Sequence, residues 1–334
     1  MPSMPAPTAQ SAPSAQPTPV PVAEIFRSGF VEGHHYGSVV ALAADGSIDW
    51  SVGAVEVPVL PRSCNKPVQA LAMVRAGLDL PDDLLALACA SHSGEPMHLD
   101  GVRRILAGAG LEESALQTPA DWPLDDEARE SMLRDGDQRR SLYMNCSGKH
   151  SAMLATCVLN GWDTATYLAP DHPLQVAIAE TFADLTGEAV EVWATDGCGA
   201  PLLSTSLVGL GRAFARIATA TEGPEARIAA AMRAHPEMVS GTHRDELTLL
   251  RAIPGAIGKA GAESCYVVAL PDGRAFSLKT DDGAGRVRPV LMAEALRRSG
   301  VDEEPGVDTA AVRGTGVVEL LGGGVRVGEI RASY

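Results

Sequence analysis

Residues 61–71 of this chain read Pro61-Arg62-Ser63-Cys64-Asn65-Lys66-Pro67-Val68-Gln69-Ala70-Leu71. They lie where a mainly apolar stretch, Val55 to Leu60, meets a helical pattern of apolar residues. The pattern predicts a helix whose first turn carries Ser63 and Lys66 on one face. A serine that attacks a carbonyl carbon needs a group that takes its proton, and an amine one turn away can do so when burial or a neighbouring cation lowers its pKa. Ser-x-x-Lys alone is more often a helix cap followed by a solvated lysine, so the other motifs decide the interpretation.

The composition indicates a globular protein that binds small molecules or other proteins. The chain has 334 residues, 46% of them hydrophobic, which is enough for a sizeable core. Its net charge of −15, with no basic run to offset it, argues against nucleic acid or an anionic membrane as a partner. We find neither an apolar stretch of about 18 residues nor a basic start followed by an apolar core, so we expect no membrane span and no secretory signal.

The cysteines indicate a cytoplasmic protein with reduced thiols. They are scattered, without the dense spacing of a disulfide scaffold, in a chain large enough not to need one. The six are Cys64, Cys89, Cys146, Cys157, Cys198 and Cys265.

The chain divides into a tail, residues 1–22, and a single domain, residues 23–334. The tail consists mostly of Pro, Ala, Ser, Thr and Gln. This composition cannot bury enough apolar surface to offset the entropy of ordering, so we predict a disordered tail.

Strand patterns lie at both ends of the domain. Residues 38–42 and 48–52 predict a hairpin around an Asp-Gly turn. Helical patterns fill much of the middle, and strand patterns return after Gly258 and end in a hairpin at residues 317–330. This order predicts an α+β fold in which both chain ends complete one sheet.

Six polar motifs follow one another along the chain. They are Arg62-Ser63-x-x-Lys66-Pro67, Ala90-Ser91-His92-Ser93-Gly94-Glu95, Asn145-Cys146-Ser147-Gly148-Lys149-His150, Asp196-Gly197-Cys198, His235-Pro236-Glu237-Met238-Val239 and Gly258-Lys259-x-Gly261-Ala262. Taken singly, Ser91 fits turn chemistry and Lys259 fits a strand-edge lysine. Cys146 and Cys198 fit buried small hydrophobes, the commonest fate of free cysteine. Taken together, the six motifs have the residues and the order found in one family. The chain therefore resembles the rhizobial-type, or class 3, L-asparaginases of the asparaginase II family.

The resemblance covers about Phe30 to Ile330 and implies a fold like that of the serine β-lactamases, penicillin-binding proteins and class A glutaminases. Those enzymes carry Ser-x-x-Lys, then Ser-x-Asn or similar, then Lys-Thr-Gly on a strand. The counterparts here are Ser63-x-x-Lys66, Ser91-x-Ser93 and Lys259-Ala260-Gly261. Ala260, where threonine is usual, weakens the case for a carboxylate-binding hydroxyl and argues against β-lactam turnover.

The same resemblance implies that Ser63 is the nucleophile and Lys66 its base, with Ser91 and Lys259 as a second Ser/Lys pair. Lys259 on a strand facing Ser63 would place a cation beside Lys66 and lower the pKa of Lys66. By analogy, the main-chain N–H groups of Ser63 and Ala262 would hold the oxyanion, each contributing about 3 kcal/mol.

Family members also hold a zinc ion, and the resemblance assigns its ligands to Cys146, Lys149 and Cys198. Thiolates are good zinc ligands, whereas a lysine must bind as the neutral amine. Water or substrate would take the fourth position, and the zinc would bind or orient asparagine rather than generate the nucleophile.

Three further residues would support the site. Asp196 is expected to hold the substrate's α-amino group or to orient Lys149. Ser93 is expected beside the substrate, and His150 next to the metal ligands.

These expectations describe a cytoplasmic L-asparagine amidohydrolase with a Ser-Lys tandem and bound zinc, and the resemblance implies that it is a homodimer. A glutaminase or another small-amide hydrolase on the same scaffold remains an alternative, because one methylene is worth only about 1–3 kcal/mol in a pocket. A catalytically silent zinc-binding or partner-binding homologue is the alternative from another class.

Overall fold

The first and last strands of the chain lie side by side in one antiparallel sheet. The structure is a computed structural model that describes residues 18–334. The strands in this range are β1 (Pro21–Arg27), β2 (Phe30–Leu42), β3 (Ile48–Val52), β4 (Trp193–Thr195), β5 (Pro201–Leu203), β6 (Ile257–Ala260), β7 (Cys265–Ala269), β8 (Ala275–Thr280), β9 (Val318–Gly322) and β10 (Val325–Ala332).

Eight of these strands form the main sheet, in the order β6-β7-β8-β2-β1-β10-β9 with β3 paired to β2. β1 pairs with β10, so that Ala23 lies opposite Ala332. All these pairings are antiparallel. The predicted α+β fold, with one sheet built from both chain ends, is therefore confirmed.

Helices cover the sheet. They are α1 (Lys66–Arg75), α2 (Asp82–Ala88), α3 (Pro96–Gly108), α4 (Asp126–Arg134), α5 (Ser147–Asn160), α6 (Pro173–Thr186), α7 (Leu207–Thr219), α8 (Gly223–Ala234), α9 (Pro236–Val239), α10 (Asp245–Ala252), α11 (Arg288–Arg298) and α12 (Thr309–Thr315). Helices α1 to α10 lie between β3 and β6 in the sequence, and α11 and α12 lie between β8 and β9. Among residues 18–334, none of the helices is both long and apolar enough to cross a membrane.

The central strand β2 separates two hydrophobic cores. Val40 and Leu42 belong to the core built with α1 to α3 and α5 to α9. Val39 and Ala41 belong to the other core, with α10, α11 and α12. Because successive strand residues face opposite sides of a sheet, the continuous apolar run in β2 follows from burial on both faces.

The boundary of the predicted tail differs from the structure. β1 begins at Pro21, and Val22 is fully buried, although both were assigned to the tail. The ordered domain therefore begins two residues earlier than predicted. The reason is that β1 pairs with β10 and β2, and this pairing buries Val22. Residues 1–17 of the predicted tail lie outside the described range.

Candidate active site

The turn before α1 brings Ser63 and Lys66 together. Arg62–Asn65 form a 3₁₀ turn, and Lys66 is the first residue of α1. Ser63 is 9% exposed, whereas Lys66 is fully buried. Arg62 has a φ of 51°, which is uncommon for a residue other than glycine. The predicted helical turn is therefore present, with a slightly exposed serine and a fully buried lysine.

Lys66 forms its contacts with the segment that follows α2. Its Nζ donates to the main-chain oxygen of Ala90 at 2.7 Å and is 2.9 Å from Oγ of Ser91. Ser91 is 6% exposed. The structure thus places Ser91, one of the two serines of the predicted tandem, on the amine of Lys66.

Lys259 has different partners from those predicted. Its Nζ donates to Oε1 of Glu246 at 3.2 Å and to the main-chain oxygen of Ala260 at 2.6 Å. Ser91 therefore pairs with Lys66 instead of forming the predicted pair with Lys259. The reason is that Lys259, fully buried on β6, lies beside a buried carboxylate that sequence reasoning did not identify.

Burial lowers the pKa of Lys259 to about 8, with the cations Arg244 and Lys66 acting in the same direction and Glu246 opposing them. The charge of Lys66 thus acts on Lys259. The pKa of Glu246 is held well below its usual range because Arg244, Lys259 and Arg288 outweigh the effect of burial.

A close backbone approach joins the end of β6 to the turn of Ser63. A Cβ atom on Gly261 would lie 2.8 Å from the main-chain oxygen of Pro61 and 3.2 Å from the amide nitrogen of Ser63. Beside this contact, Sγ of Cys64 donates to the main-chain oxygen of Lys259 at 3.1 Å. Only glycine fits at position 261 without moving the backbone, and this fit brings the neighbouring Ala262 close to the turn.

Asp196 connects the turn of Ser63 to the predicted metal site. Its Oδ1 accepts a hydrogen bond from Nε of Arg62 at 2.8 Å, and its Oδ2 lies 4.0 Å from Sγ of Cys198. Arg62 also lies 3.4 Å from Glu263. The carboxylate of Asp196 is therefore paired with an arginine that the sequence analysis assigned no role.

The three predicted metal ligands form one buried cluster. Cys146 precedes α5, and Lys149 lies on its first turn, one turn away as predicted. Nζ of Lys149 is 3.2 Å from Sγ of Cys198, and all three residues are at most 2% exposed. Cys198 arrives from the turn between β4 and β5. Residues 18–334 contain no group of three or more His, Cys, Asp or Glu side chains arranged to hold a metal ion, so a metal in this cluster would need Lys149 as well as the two sulfur atoms.

The charges in this cluster suit a metal that binds thiolates. The neighbouring thiol of Cys146 has the largest effect on Cys198 and, with the charge of Lys149, outweighs burial, so the pKa of Cys198 lies well below its usual range. The same neighbouring sulfur, together with burial, raises the pKa of Cys146. Burial would lower the pKa of Lys149, but the two sulfur atoms raise it. A divalent cation could replace the protons of Cys146 and Lys149, so these residues fit the predicted zinc.

His150 lies next to the cluster. Its Nδ1 is 2.7 Å from the hydroxyl of Tyr167, and its Nε2 is buried with no hydrogen-bond partner among residues 18–334. Burial lowers the pKa of His150 to about 4, with Lys149 acting in the same direction. The ring is therefore neutral at physiological pH, in the position beside the cluster that was expected.

Ser93 and His92 hold the Ser91 segment in place. Oγ of Ser93 donates to the main-chain oxygen of Ser240 at 2.8 Å. Nδ1 of His92 accepts from the amide of Gly94, so its Nε2 carries the proton and donates to Oγ of Ser147 at 2.8 Å. His92 thereby ties the Ser91 segment to the start of α5.

Sequence reasoning missed Arg244 and Glu246. Nη1 of Arg244 donates to the main-chain oxygen of Ser91 at 3.0 Å, and Glu246 bonds to Lys259. The only signal was the charged run Arg244-Asp245-Glu246 at the start of a predicted helix. Acidic residues are common in first helical turns, so the run does not by itself indicate a buried site.

A family model described as L-asparaginase II matches residues 23–332. No curated protein matches the sequence.

Similar solved structures have low sequence identity. The native form of Mglu is 12% identical over 74% of this chain and 60% of that chain, with a TM-score of 0.39. A β-lactamase from Mycobacterium bovis is 15% identical over 78% of this chain and 94% of that one, with a TM-score of 0.36. A Bacillus glutaminase is 10% identical over 79% and 91%, with a TM-score of 0.35. The chain spans about 60% of the length of Mglu.

Proposed function

Because this chain belongs to the L-asparaginase II family, we propose that it hydrolyses the side-chain amide of L-asparagine to L-aspartate and ammonia through a serine acyl-enzyme. The observation that supports the proposal most directly is the burial of the lysine side chains. The sequence has four lysines among its 27 lysine and arginine residues, and Lys66, Lys149 and Lys259 are all buried. Lysine, unlike arginine, can give up its proton in a protein. Burial of three of the four lysines therefore suits amine chemistry better than surface charge.

In the first half of the reaction, Oγ of Ser63 attacks the amide carbon and its proton passes to the amine of Lys66. The hydrogen bond between Lys66 and Ser91 supports a path by which this proton reaches the nitrogen of the leaving group. The C–N bond then breaks, ammonia leaves, and an ester joins Ser63 to the aspartyl group.

In the second half, water attacks the ester carbon and gives a proton to the same base. The C–O bond to Ser63 breaks, aspartate leaves, and the serine recovers its proton. The amides of Ser63 and Ala262 hold the oxyanion in both halves, and the close packing of Gly261 against the Ser63 turn supports this assignment.

Zinc held by Cys146, Lys149 and Cys198 would supply a positive charge that binds or orients asparagine. The protein's own contribution at this point is to keep two sulfur atoms and an amine together away from solvent. Asp196 lies between Cys198 and Arg62. Its Oδ2 can therefore accept a hydrogen bond from the substrate's α-amino group while its Oδ1 stays bonded to Arg62.

Ammonia release from asparagine, glutamine and a simple aliphatic amide tests the function. We expect release from asparagine, because the family resemblance points to that substrate, with kcat/KM for glutamine at least about tenfold lower. The assay uses the purified full chain with and without added zinc. Equal rates with glutamine would assign the broader amidase alternative, and no release from any amide would favour the catalytically silent homologue.

Cys198→Ser tests the metal assignment. Loss of one sulfur ligand is expected to weaken zinc binding by about 100-fold or more and to raise KM for asparagine. Zinc per chain is measured by elemental mass spectrometry after dialysis. Cys157→Ser is the matched control, because Cys157 is also a buried free cysteine but lies at the far end of α5. Equal zinc content in the two variants would contradict the assignment.

A further inference from the structure

Glu246 is a fully buried carboxylate that contacts three parts of the site. It lies in the first turn of α10 and is 1% exposed. Its Oε1 accepts from Nζ of Lys259 at 3.2 Å and from the amide of Ala260 at 2.7 Å. Its Oε2 lies 2.5 Å from Nη2 of Arg244. One carboxylate therefore binds both the side chain and the backbone at the end of β6.

Arg244 extends this contact to the Ser91 segment. Its Nη1 donates to the main-chain oxygen of Ser91 at 3.0 Å, while its Nη2 pairs with Glu246. A continuous path thus runs from Lys259 through Glu246 and Arg244 to Ser91. Because Ser91 bonds to Lys66, the path connects two buried lysines, Lys259 and Lys66.

We propose that Glu246 is a positioning residue that fixes the Lys259 ammonium and the end of β6 beside the Ser63 turn and, through Arg244, holds the Ser91 segment. The inference rests on the proposed function, because Lys259 matters to that reaction as the cation that the resemblance places beside Lys66. Removal of the carboxylate would leave a buried ammonium without its counter-charge and a buried amide without its acceptor.

The electrostatic surroundings show why a carboxylate is needed. The charged and titratable groups that face Lys259 or Glu246 are Cys64, Lys66, Cys89, Arg244, Tyr266 and Arg288. Burial favours the neutral form of Lys259, and so do the cations Arg244 and Lys66. Glu246 acts in the opposite direction, and without it the pKa of Lys259 would fall below its value of about 8.

Glu246→Gln tests the proposal, since glutamine keeps the size and an acceptor oxygen but loses the charge. The full chain is labelled with ¹³C at the lysine ε-carbon, which gives only four signals because the sequence has four lysines. The signal of Lys259 is identified by its loss in Lys259→Met. We expect its titration midpoint to fall by about one pH unit or more in Glu246→Gln. We also expect kcat for asparagine to fall by about tenfold or more, with the pH profile of kcat shifted to lower pH.

Two variants complete the experiment. Asp245→Asn removes the neighbouring carboxylate, which pairs with Arg288 instead of Lys259, and it should leave the Lys259 midpoint within about 0.3 unit. Glu246→Asp keeps the charge at a shorter reach, so the midpoint should lie between those of the wild type and Glu246→Gln. If Glu246→Gln does not fold, a lowered midpoint in Glu246→Asp still supports the proposal and an unchanged one overturns it.

An unchanged Lys259 midpoint and pH profile in folded Glu246→Gln overturns the assignment. The experiments distinguish failure of the proposed function from failure of the role assigned to Glu246. A wild type that releases no ammonia from any amide contradicts the proposed function, while the lysine titration still decides whether Glu246 controls Lys259.

Discussion

Replacing Ser63 with alanine is expected to lower kcat for asparagine hydrolysis by about 10⁴-fold or more, because the acyl-enzyme cannot form without Oγ. The fold should be retained, since the change removes one small hydroxyl at a position that is 9% exposed. Ammonia release at saturating asparagine measures the first effect. The thermal unfolding midpoint measures the second.

The matched control is Ser277→Ala. Ser277 lies on β8, is fully buried, and its hydroxyl has no hydrogen-bond partner among residues 18–334, so its loss should leave kcat unchanged. Rapid acid quenching followed by peptide mass analysis adds a direct readout. An aspartyl group should be found on the peptide that carries Ser63 in the wild type and should be missing in Ser63→Ala. Wild-type turnover by Ser63→Ala would show that the nucleophile lies elsewhere.

Most of the fold was predictable from local patterns. Residues 38–42 and 48–52 alternate or run apolar around an Asp-Gly turn, and the structure has a hairpin there. The C-cap pair Asn160-Gly161 ends α5 with a left-handed glycine, as its sequence predicts. The strand β5, Pro201–Leu203, was missed because three residues after a glycine-rich turn give too short a pattern to separate from the approach to α7.

The candidate site was predictable where its residue pairs are local in sequence. Ser63 with Lys66, and Cys146 with Lys149, each lie one turn apart, so a motif displays the pair. The contact between Glu246 and Lys259 joins α10 to β6 and depends on how the two pack, which no spacing rule supplies. The partners of Ser91 and Lys259 differ from the predicted pair for the same reason. Ser91 bonds to Lys66 and Lys259 bonds to Glu246, and both contacts depend on distances in the folded chain that the sequence spacing does not give.

Lys66→Arg is expected to lower kcat by about 10³-fold. The substitution distinguishes two possible contributions of Lys66, proton acceptance and positive charge. A guanidinium stays protonated in proteins, so arginine keeps the cation but cannot take the proton of Ser63. Loss of general-base catalysis typically lowers the rate by about 10²–10⁴-fold. Ammonia release measures kcat, and near-ultraviolet circular dichroism checks that the buried position accepts the larger group.

The control for this exchange is Lys279→Arg, which should be close to neutral. Lys279 is the one lysine that is not buried, and its Nζ donates to the main-chain oxygen of Glu263, a contact that arginine can also make. Lys66→Met is the second variant to compare, because methionine removes both the base and the positive charge without adding volume. If Lys66 acts as a base, Arg and Met at this position should lose kcat to a similar extent. If its contribution were only electrostatic, arginine would retain most of the rate and methionine would not, and that result would remove Lys66 from the proton-transfer path.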